Sequence, residues 1–473
     1  MPRPQKLIEE VESSPEGPEI AAFFDMDRTL LSGFSAQDML VERVLSKDVS
    51  LTEIAEGMSA ALDFGLNRIK FSEFINRSAR SLRGKTDEEN HAFGQQLFEK
   101  RVAQRLYPEA RRMVEAHKNR GHTVAVVSSA TPYQVEPVAN DLGIEHILCT
   151  RLKIKDGICT GEVQEPACYG EGKARAAEQL AGEHNLDLQK SFFYSDGSED
   201  LPLFEIVGKP RPLNPDGRLT DVARKRGWPI TRLNSRGKPS LMNLARTAMI
   251  YSTLPWAAAA GVGHLLLNGS VQEARNLSST IWGELAGAAL NLKLQIEGEQ
   301  YLWSHRPAVF VFNHQSALDA LVMVKLLRRD MTGIGKIEIK GYPIIGQLFQ
   351  AAGLIFVDRA DHEKAIAAME PAVDALKSGT SIVISPEGTR SPTVHLGPFK
   401  KGAFHLAMQA GVPMVPVVLR NTTDWWPKGS LYGRPGTVEV DVLPPVDTSD
   451  WSPETIDEHV ALVRDMFLEV LGE

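Results

Sequence analysis

The stretch Phe310-Val311-Phe312-Asn313-His314-Gln315-Ser316-Ala317-Leu318-Asp319 constrains this chain most. An apolar run suited to a buried strand stops abruptly in a polar turn, and a helical pattern opens directly behind it. On one ideal helix a five-residue spacing leaves two side chains about 140° apart. His314 and Asp319 therefore meet only if the imidazole lies in the turn and the carboxylate in the first helical turn. Ser316 is the expected N-cap, with Asp319 three residues on. A histidine oriented by a carboxylate is the least apparatus that deprotonates a hydroxyl. Taken alone, the same residues also read as a capping box with a surface histidine beside it.

The surrounding sequence repeats this alternation. Residues 307–312, 353–357, 380–385 and 412–419 are strand-like, and 316–327, 361–377 and 400–409 are helix-like. Such alternation predicts an α/β sheet with helices packed on it. The first half has its own version. Residues 20–24 form a short apolar run ending in Asp25-Met26-Asp27-Arg28-Thr29-Leu30. Two carboxylates at a strand end repel each other unless they share a cation or a proton, and open α/β sheets bind ligands at that end. Residues 36–105 are charged, helix-like and poor in strand signals, as a helical insertion or cap would be. Pro108 then opens a helix that Gly121 closes. A second buried strand, 123–127, ends in Ser128-Ser129-Ala130-Thr131, hydroxyls able to hold a phosphate oxygen or simply to cap a helix. Gly170-Glu171-Gly172-Lys173 opens another helix and offers one lysine as a phosphate counter-charge. A third strand, 191–194, runs into Ser195-Asp196-Gly197-Ser198-Glu199-Asp200, which supplies oxygen ligands for a magnesium ion.

In that order, Asp25/Asp27, Ser128, Lys173 and Asp196/Asp200 resemble the haloacid dehalogenase superfamily of phosphatases, in particular its phosphoserine-phosphatase-like branch with a helical cap after the first motif. The resemblance covers residues 18–235 and implies a Rossmann-like domain. It implies that Asp25 attacks phosphorus to give an aspartyl-phosphate and that Asp27 acts as acid and base. It also implies that Asp25, the Asp27 carbonyl and Asp196, supported by Asp200, hold Mg2+, while Ser128 and Lys173 bind the phosphoryl group. The cap, which chooses the small phosphomonoester, does not disclose it.

In the second half, the His314/Asp319 block is followed by Phe356-Val357-Asp358-Arg359, Ser385-Pro386-Glu387-Gly388-Thr389-Arg390 and Val412-Pro413-Met414-Val415-Pro416-Val417. These four blocks resemble the glycerolipid acyltransferases that convert lysophosphatidate to phosphatidate. The resemblance implies His314 as general base, Asp319 as its orienting partner, and acyl-CoA or acyl carrier protein as donor. Arg359 suits the acceptor's phosphate, because a guanidinium grips phosphate with two parallel hydrogen bonds. Glu387, Gly388, Thr389 and Arg390 would complete that pocket, Glu387 holding the glycerol or a neighbouring basic group. Lys336 is a further candidate for the phosphate. No nucleophile elbow is needed.

The expectation is thus an α/β chain of two domains, 18–235 and 296–473. Residues 1–17 read as a mobile tail without a secretory leader. Between Ala223 and Arg246 lie seven basic residues and no acid, and no charged residue occurs from Thr247 to Gln272. Residues 236–295 are therefore predicted to be a basic linker and a helical hairpin dipping into one leaflet at the cytoplasmic face of a membrane. A net charge of −8 argues against a dedicated nucleic-acid binder. Three cysteines with no zinc-like spacing fit reduced thiols. Two alternatives stay open: an N-terminal module that senses a phosphometabolite without turnover, and a different lysophospholipid as acceptor.

Overall fold

The computed structural model describes residues 4–46, 71–342, 345–358 and 369–473, with 55, 57, 59–60, 62–64, 66 and 68–69. It divides into two compact units, Met1–Lys238 and Pro239–Glu473.

The first unit contains β1 (Ala21–Phe24), β2 (Thr123–Ser128), β3 (His146–Cys149), β4 (Leu152–Lys155), β5 (Ile158–Val163), β6 (Phe192–Ser195) and β7 (Lys209–Pro212). Five of these make a parallel sheet in the order β3-β2-β1-β6-β7. Because side chains alternate along a strand, Ala22 and Phe24 of β1 enter one apolar cluster and Ala21 and Phe23 the other. A strand buried on both faces reads as a continuous apolar run, which is why β1 and β2 were legible.

Residues 4–12, expected to be mobile, form the helix Pro4–Glu12. Its Leu7, Ile8 and Val11 are buried, and Glu10 accepts from Arg211 Nε at 2.9 Å. Three apolar residues on one helical face suffice to dock an otherwise polar segment. The cap carries the helices Ser35–Leu45, Phe71–Ala79 and Asp87–Leu97. It is not purely helical: the antiparallel β4–β5 hairpin packs on it, with Leu152, Cys159 and Val163 against Ala79 and Leu82. All three cysteines are free thiols.

The second unit begins with two helices, Leu241–Asn268 and Val271–Leu290, joined at Gly269-Ser270. They pack closely where Gly261 meets the second helix: a β-carbon there would lie 2.0 Å from Ser278 Oγ. The first is the only helix among the described residues long and apolar enough to cross a membrane. Trp256, Leu266 and Leu267 on it are 74%, 82% and 85% exposed. The predicted basic flank does not form one element. Arg224, Lys225 and Arg226 end the helix Gly217–Arg226 of the first unit, whereas Arg246 lies on the hairpin.

Strands β8 (Leu292–Glu297), β9 (Val309–Phe312), β10 (Met331–Lys336), β11 (Ile355–Val357), β12 (Ser381–Ile384), β13 (Met414–Leu419) and β14 (Gly436–Val442) form one sheet in the order β11-β10-β12-β9-β13-β14-β8. Its first five strands are parallel. As in β1, Phe310 and Phe312 of β9 enter one cluster and Val309 and Val311 the other. The helix expected at 316–327 is Asp319–Leu327. The helix expected over 361–377 is seen as Glu370–Lys377, its earlier residues lying outside those described.

Candidate active sites

In the first unit, β1, β2 and β6 are neighbours, so the residues after their carboxyl ends share one edge of the sheet. Asp25 follows β1, Ser128 ends β2 and Asp196 follows β6. The Asp25 N–H continues the ladder to Tyr194 O at 2.9 Å. Helix Glu171–His184 contributes Lys173, whose Nζ donates to Asp25 Oδ1 at 2.7 Å and to Asp200 Oδ2 at 2.8 Å. Both carboxylates and the lysine are buried. Burial opposes the charge on Lys173, but the two carboxylates outweigh it and hold the ammonium well above its ordinary range.

Burial pushes Asp25 well up, with Lys173 opposing and Asp200 and Asp196 reinforcing. Burial likewise carries Asp196 up to about 7. Asp27 is pushed up to about 6 by burial, against hydrogen bonds from the Ser35 N–H at 2.8 Å and Ser35 Oγ at 3.1 Å. Ser35 Oγ in turn accepts from Gln134 Nε2 at 2.9 Å. Asp200 is fixed by Ser195 Oγ at 2.6 Å, and its Oδ1 is buried without a protein partner among the described residues. Ser128 Oγ accepts from Ala130 N at 3.2 Å.

The donor set suits a hard cation. Asp25, Asp196 and Asp200 are oxygen donors whose mutual repulsion an ion would relieve, and Asp200 Oδ1 is a buried acceptor in need of one. No three acidic, imidazole or thiol groups among the described residues already converge as a metal cage does.

Sequence reasoning missed Arg28, Ser35, Gln134 and Ser195. Arg28, at φ 60°, pairs with Asp196 Oδ2 at 3.0 Å and lies over the Phe34 ring. The Thr131-x-x-Gln134 capping box was a readable signal for Gln134.

In the second unit the motifs again follow the carboxyl ends of parallel strands: His314 after β9, Lys336 at the end of β10, and Glu387 after β12. His314 Nδ1 lies 2.8 Å from Asp319 Oδ2, and the same oxygen accepts from the Gln315 and Ser316 N–H groups, each at 2.8 Å. A fully buried carboxylate holding two amide donors acts as an acceptor toward the imidazole, so Nδ1 carries a proton, and in the neutral ring the lone pair is then on Nε2. The His314 side chain is 27% exposed, open to a substrate.

The expected N-cap role of Ser316 is corrected. Leu318 stands at the N-cap position, while Ser316 Oγ donates to Trp426 O at 2.5 Å and accepts from Leu318 N at 3.0 Å. Asn313 anchors the turn by exchanging bonds with Leu419 O at 2.8 Å and Leu419 N at 2.7 Å, a pairing the sequence did not disclose.

Glu387, expected to hold the glycerol or a neighbouring basic group, accepts among the described residues from His314 N at 2.6 Å and Gly397 N at 3.1 Å, and burial pushes its carboxyl up to about 7. Buried backbone N–H groups need acceptors, and the histidine turn presents one here. The Ser391 N–H donates to His314 O at 2.7 Å, clamping the 387–390 turn onto the histidine turn from its other end. Gly388 has φ 73°, Thr389 is exposed and Arg390 half-buried. Lys336 is exposed and opposite Val357 in the β10–β11 register; Arg359 lies outside the described residues.

Two α/β units, each with its reactive groups at the carboxyl edge of a parallel sheet, define an enzyme with a carboxylate–lysine centre in one unit and a histidine–aspartate centre in the other. Residues 22–205 match the family model of the haloacid dehalogenase-like hydrolases, and residues 293–420 that of the acyltransferases. Over 197 residues the chain is 36% identical to the 1-acyl-sn-glycerol-3-phosphate acyltransferase of Limnanthes alba, covering 41% of this chain and 69% of that one. Over 223 residues it is 34% identical to a Mycobacterium tuberculosis protein named a probable phosphatase, covering 44% of this chain and 74% of that one. The chain belongs to the haloacid dehalogenase-like hydrolases through its first unit and to the acyltransferases through its second. Among solved structures it is similar to the 1-acyl-sn-glycerophosphate acyltransferase of Thermotoga maritima, at 25% identity over 49% of this chain and 95% of that one, with a TM-score of 0.43.

Proposed function

We propose that the chain is a bifunctional, membrane-associated enzyme of phospholipid synthesis. Its second unit acylates lysophosphatidate to phosphatidate, and its first hydrolyses a small phosphomonoester. The observation that carries the acyl-transfer reading is the 2.8 Å contact between His314 Nδ1 and the fully buried Asp319, which leaves Nε2 as a base. Nε2 takes the proton of the acceptor hydroxyl as that oxygen attacks the thioester carbonyl of acyl-CoA or acyl carrier protein. The C–S bond then breaks, and the thiol leaves with the proton returned by the imidazole. Asp319 stabilises the transient imidazolium. Arg359, with Lys336 and the Gly388–Arg390 turn, binds the acceptor phosphate.

In the first unit, an Asp25 oxygen attacks phosphorus and the ester P–O bond breaks. Asp27, whose carboxyl lies near 6, gives its proton to the leaving oxygen. Asp27 then takes a proton from the water that releases phosphate from Asp25. Ser128 and Lys173 hold the phosphoryl oxygens. Asp25, the Asp27 carbonyl, Asp196 and Asp200 would hold Mg2+, which when bound offsets the negative charge of phosphate against the acidic cluster.

The exposed apolar face of the hairpin supports association with a membrane, and the cytosolic acyl donor favours its cytoplasmic leaflet. The test uses the full chain in detergent with lysophosphatidate, acyl-CoA and Mg2+, following phosphatidate and free phosphate. His314→Ala is expected to abolish only phosphatidate, and Asp25→Asn only phosphate release. No acyl transfer by the unmutated chain would overturn the acceptor and donor assignment.

A further inference from the structure

One carboxylate organises three segments of the second unit. Glu387 Oε1 accepts from His314 N and Oε2 from Gly397 N, and three residues beyond Gly397 the Lys400 N–H donates to Pro386 O at 2.8 Å. Segment 397–400 is thereby folded back onto the 386–388 turn and pinned at both ends. The Lys400 stem lies on Gly388: a β-carbon at Gly388 would meet its Cδ, Cε and Nζ at 3.1, 3.2 and 3.2 Å. Gly388 is left-handed, at φ 73°, so both the backbone and the lysine above it require glycine there.

The Lys400 ammonium is therefore held over the same turn that carries Arg390, one bonded step from the histidine turn. Among the described residues neither Lys400 nor Arg390 has a carboxylate partner. The neighbouring cations are committed: Lys401 pairs with Asp457 at 2.8 Å, and Lys428 donates to Arg390 O at 2.7 Å. An exposed ammonium with three donors, laid over the Gly388 turn and without a carboxylate partner among the described residues, is suited to an anion that arrives with the substrate.

We propose that Lys400 is a phosphate-binding residue of the acyl-transfer site. This rests on the acyl-transfer reading of that site. The phosphate is that of the acceptor lysophospholipid or one of those on the donor's carrier, and the experiment separates the two.

Initial rates of the full chain in detergent give kcat and the KM of lysophosphatidate and of acyl-CoA for the unmutated chain, Lys400→Ala, Lys400→Gln, Lys400→Arg and Lys401→Ala. Lys400→Gln keeps most of the stem on Gly388 and so separates loss of charge from loss of packing. The expected result is a KM raised about tenfold or more in Lys400→Ala and Lys400→Gln, with kcat changed less than about threefold. Lys400→Arg should restore most of it, and Lys401→Ala should match the unmutated chain. A rise confined to lysophosphatidate assigns the acceptor phosphate, and monoacylglycerol should then be used equally well by all variants. A rise confined to acyl-CoA assigns the donor, and a phosphate-free acyl thioester should then show no difference. Lys400→Gln kinetics equal to those of the unmutated chain, or a loss in kcat alone, overturns the proposal. An unmutated chain with no acyl transfer overturns the underlying reading instead.

Discussion

Replacing Asp319 by Asn separates the catalytic work proposed for this carboxylate from its structural work. Its Oδ2 accepts from His314 Nδ1, Gln315 N and Ser316 N, each at 2.8 Å, while Oδ1 is buried with no protein partner among the described residues. The Asn carbonyl can keep all three donors, including the imidazole, with the amide NH2 in the place of Oδ1. What is lost is the charge facing the imidazolium. At an effective dielectric constant near 20, opposite charges about 4 Å apart attract by about 4 kcal/mol. In the proposed mechanism the ring takes up the acceptor's proton as the hydroxyl attacks, so this loss falls on the transition state. At about 1.4 kcal/mol per tenfold, kcat should drop by about 10³. Stability should fall by about 1–3 kcal/mol, for one amide buried without an acceptor. Asp319→Ala strips the acceptor from two buried backbone N–H groups and should cost about 2–6 kcal/mol in addition to activity. The assay pairs phosphatidate formation under saturating substrates with urea unfolding. An Asn variant keeping more than about a tenth of the kcat would refute the assignment of imidazolium stabilisation to Asp319.

Glu387 gives a pH signature. Its carboxyl stands near 7 rather than 4.5, so between those values the folded chain keeps a proton that the unfolded chain has released. Its contribution is full below pH 4.5, declines by about 3 kcal/mol up to pH 7 and is flat beyond. Glu387→Gln should remove that slope in urea titrations across pH 4–8. Lys173→Met leaves Asp25 and Asp200 buried without their shared ammonium and should destabilise the chain by about 3–5 kcal/mol; an unchanged urea midpoint would show that the triad is not coupled. Leu266→Glu with Leu267→Glu, at sites more than 80% exposed, should abolish sedimentation with anionic vesicles while leaving acyl transfer to micellar substrate intact. Retained sedimentation would move membrane contact away from the hairpin.

What was legible in the sequence follows from burial. Strands β1, β2, β6, β9, β12 and β13 are covered on both faces, so their apolar runs stand out and the polar residue behind each marks the sheet's active edge. Strand β10 was missed because Met331-Thr332-Gly333-Ile334-Gly335-Lys336 is only half-buried and carries two glycines, against which the Leu354 side chain packs. The β4–β5 hairpin had a readable signal in Asp156-Gly157, both at positive φ, between strands too short and polar to attract notice. The helix Pro4–Glu12 was hidden by its charge, since three apolar residues among nine do not raise a segment's mean hydropathy. Of the site residues, those that project from strand ends were found. Those that hold them, Ser35, Gln134 and Asn313, were not, because Gln134 reaches Ser35 and Asn313 reaches Leu419 across about a hundred residues of sequence.

The two centres use the same strand-end geometry and opposite electrostatics, and that difference is informative about their chemistry. In the first unit burial drives Asp25, Asp27 and Asp196 upward, neighbouring acids add to it at Asp25 and Asp196, and one lysine serves two carboxylates. Under the proposed function a cation would offset this cluster, and Asp27, its carboxyl near 6, is the acid that donates a proton. In the second unit, Asp319 is equally buried but receives two backbone N–H groups and an imidazole N–H. Those donors stand in for the water that Oδ2 has lost, while Oδ1 is left without a protein partner among the described residues, as Asp200 Oδ1 is. The bonded oxygen is directed at one imidazole. The first arrangement suits in-line attack on a phosphoryl group. The second suits removal of a proton from a hydroxyl whose nucleophilicity is the only thing the reaction lacks. Sequence motifs point to both sites, and where the hydrogen-bond donors lie supports phosphorus chemistry for the one and acyl chemistry for the other as proposed.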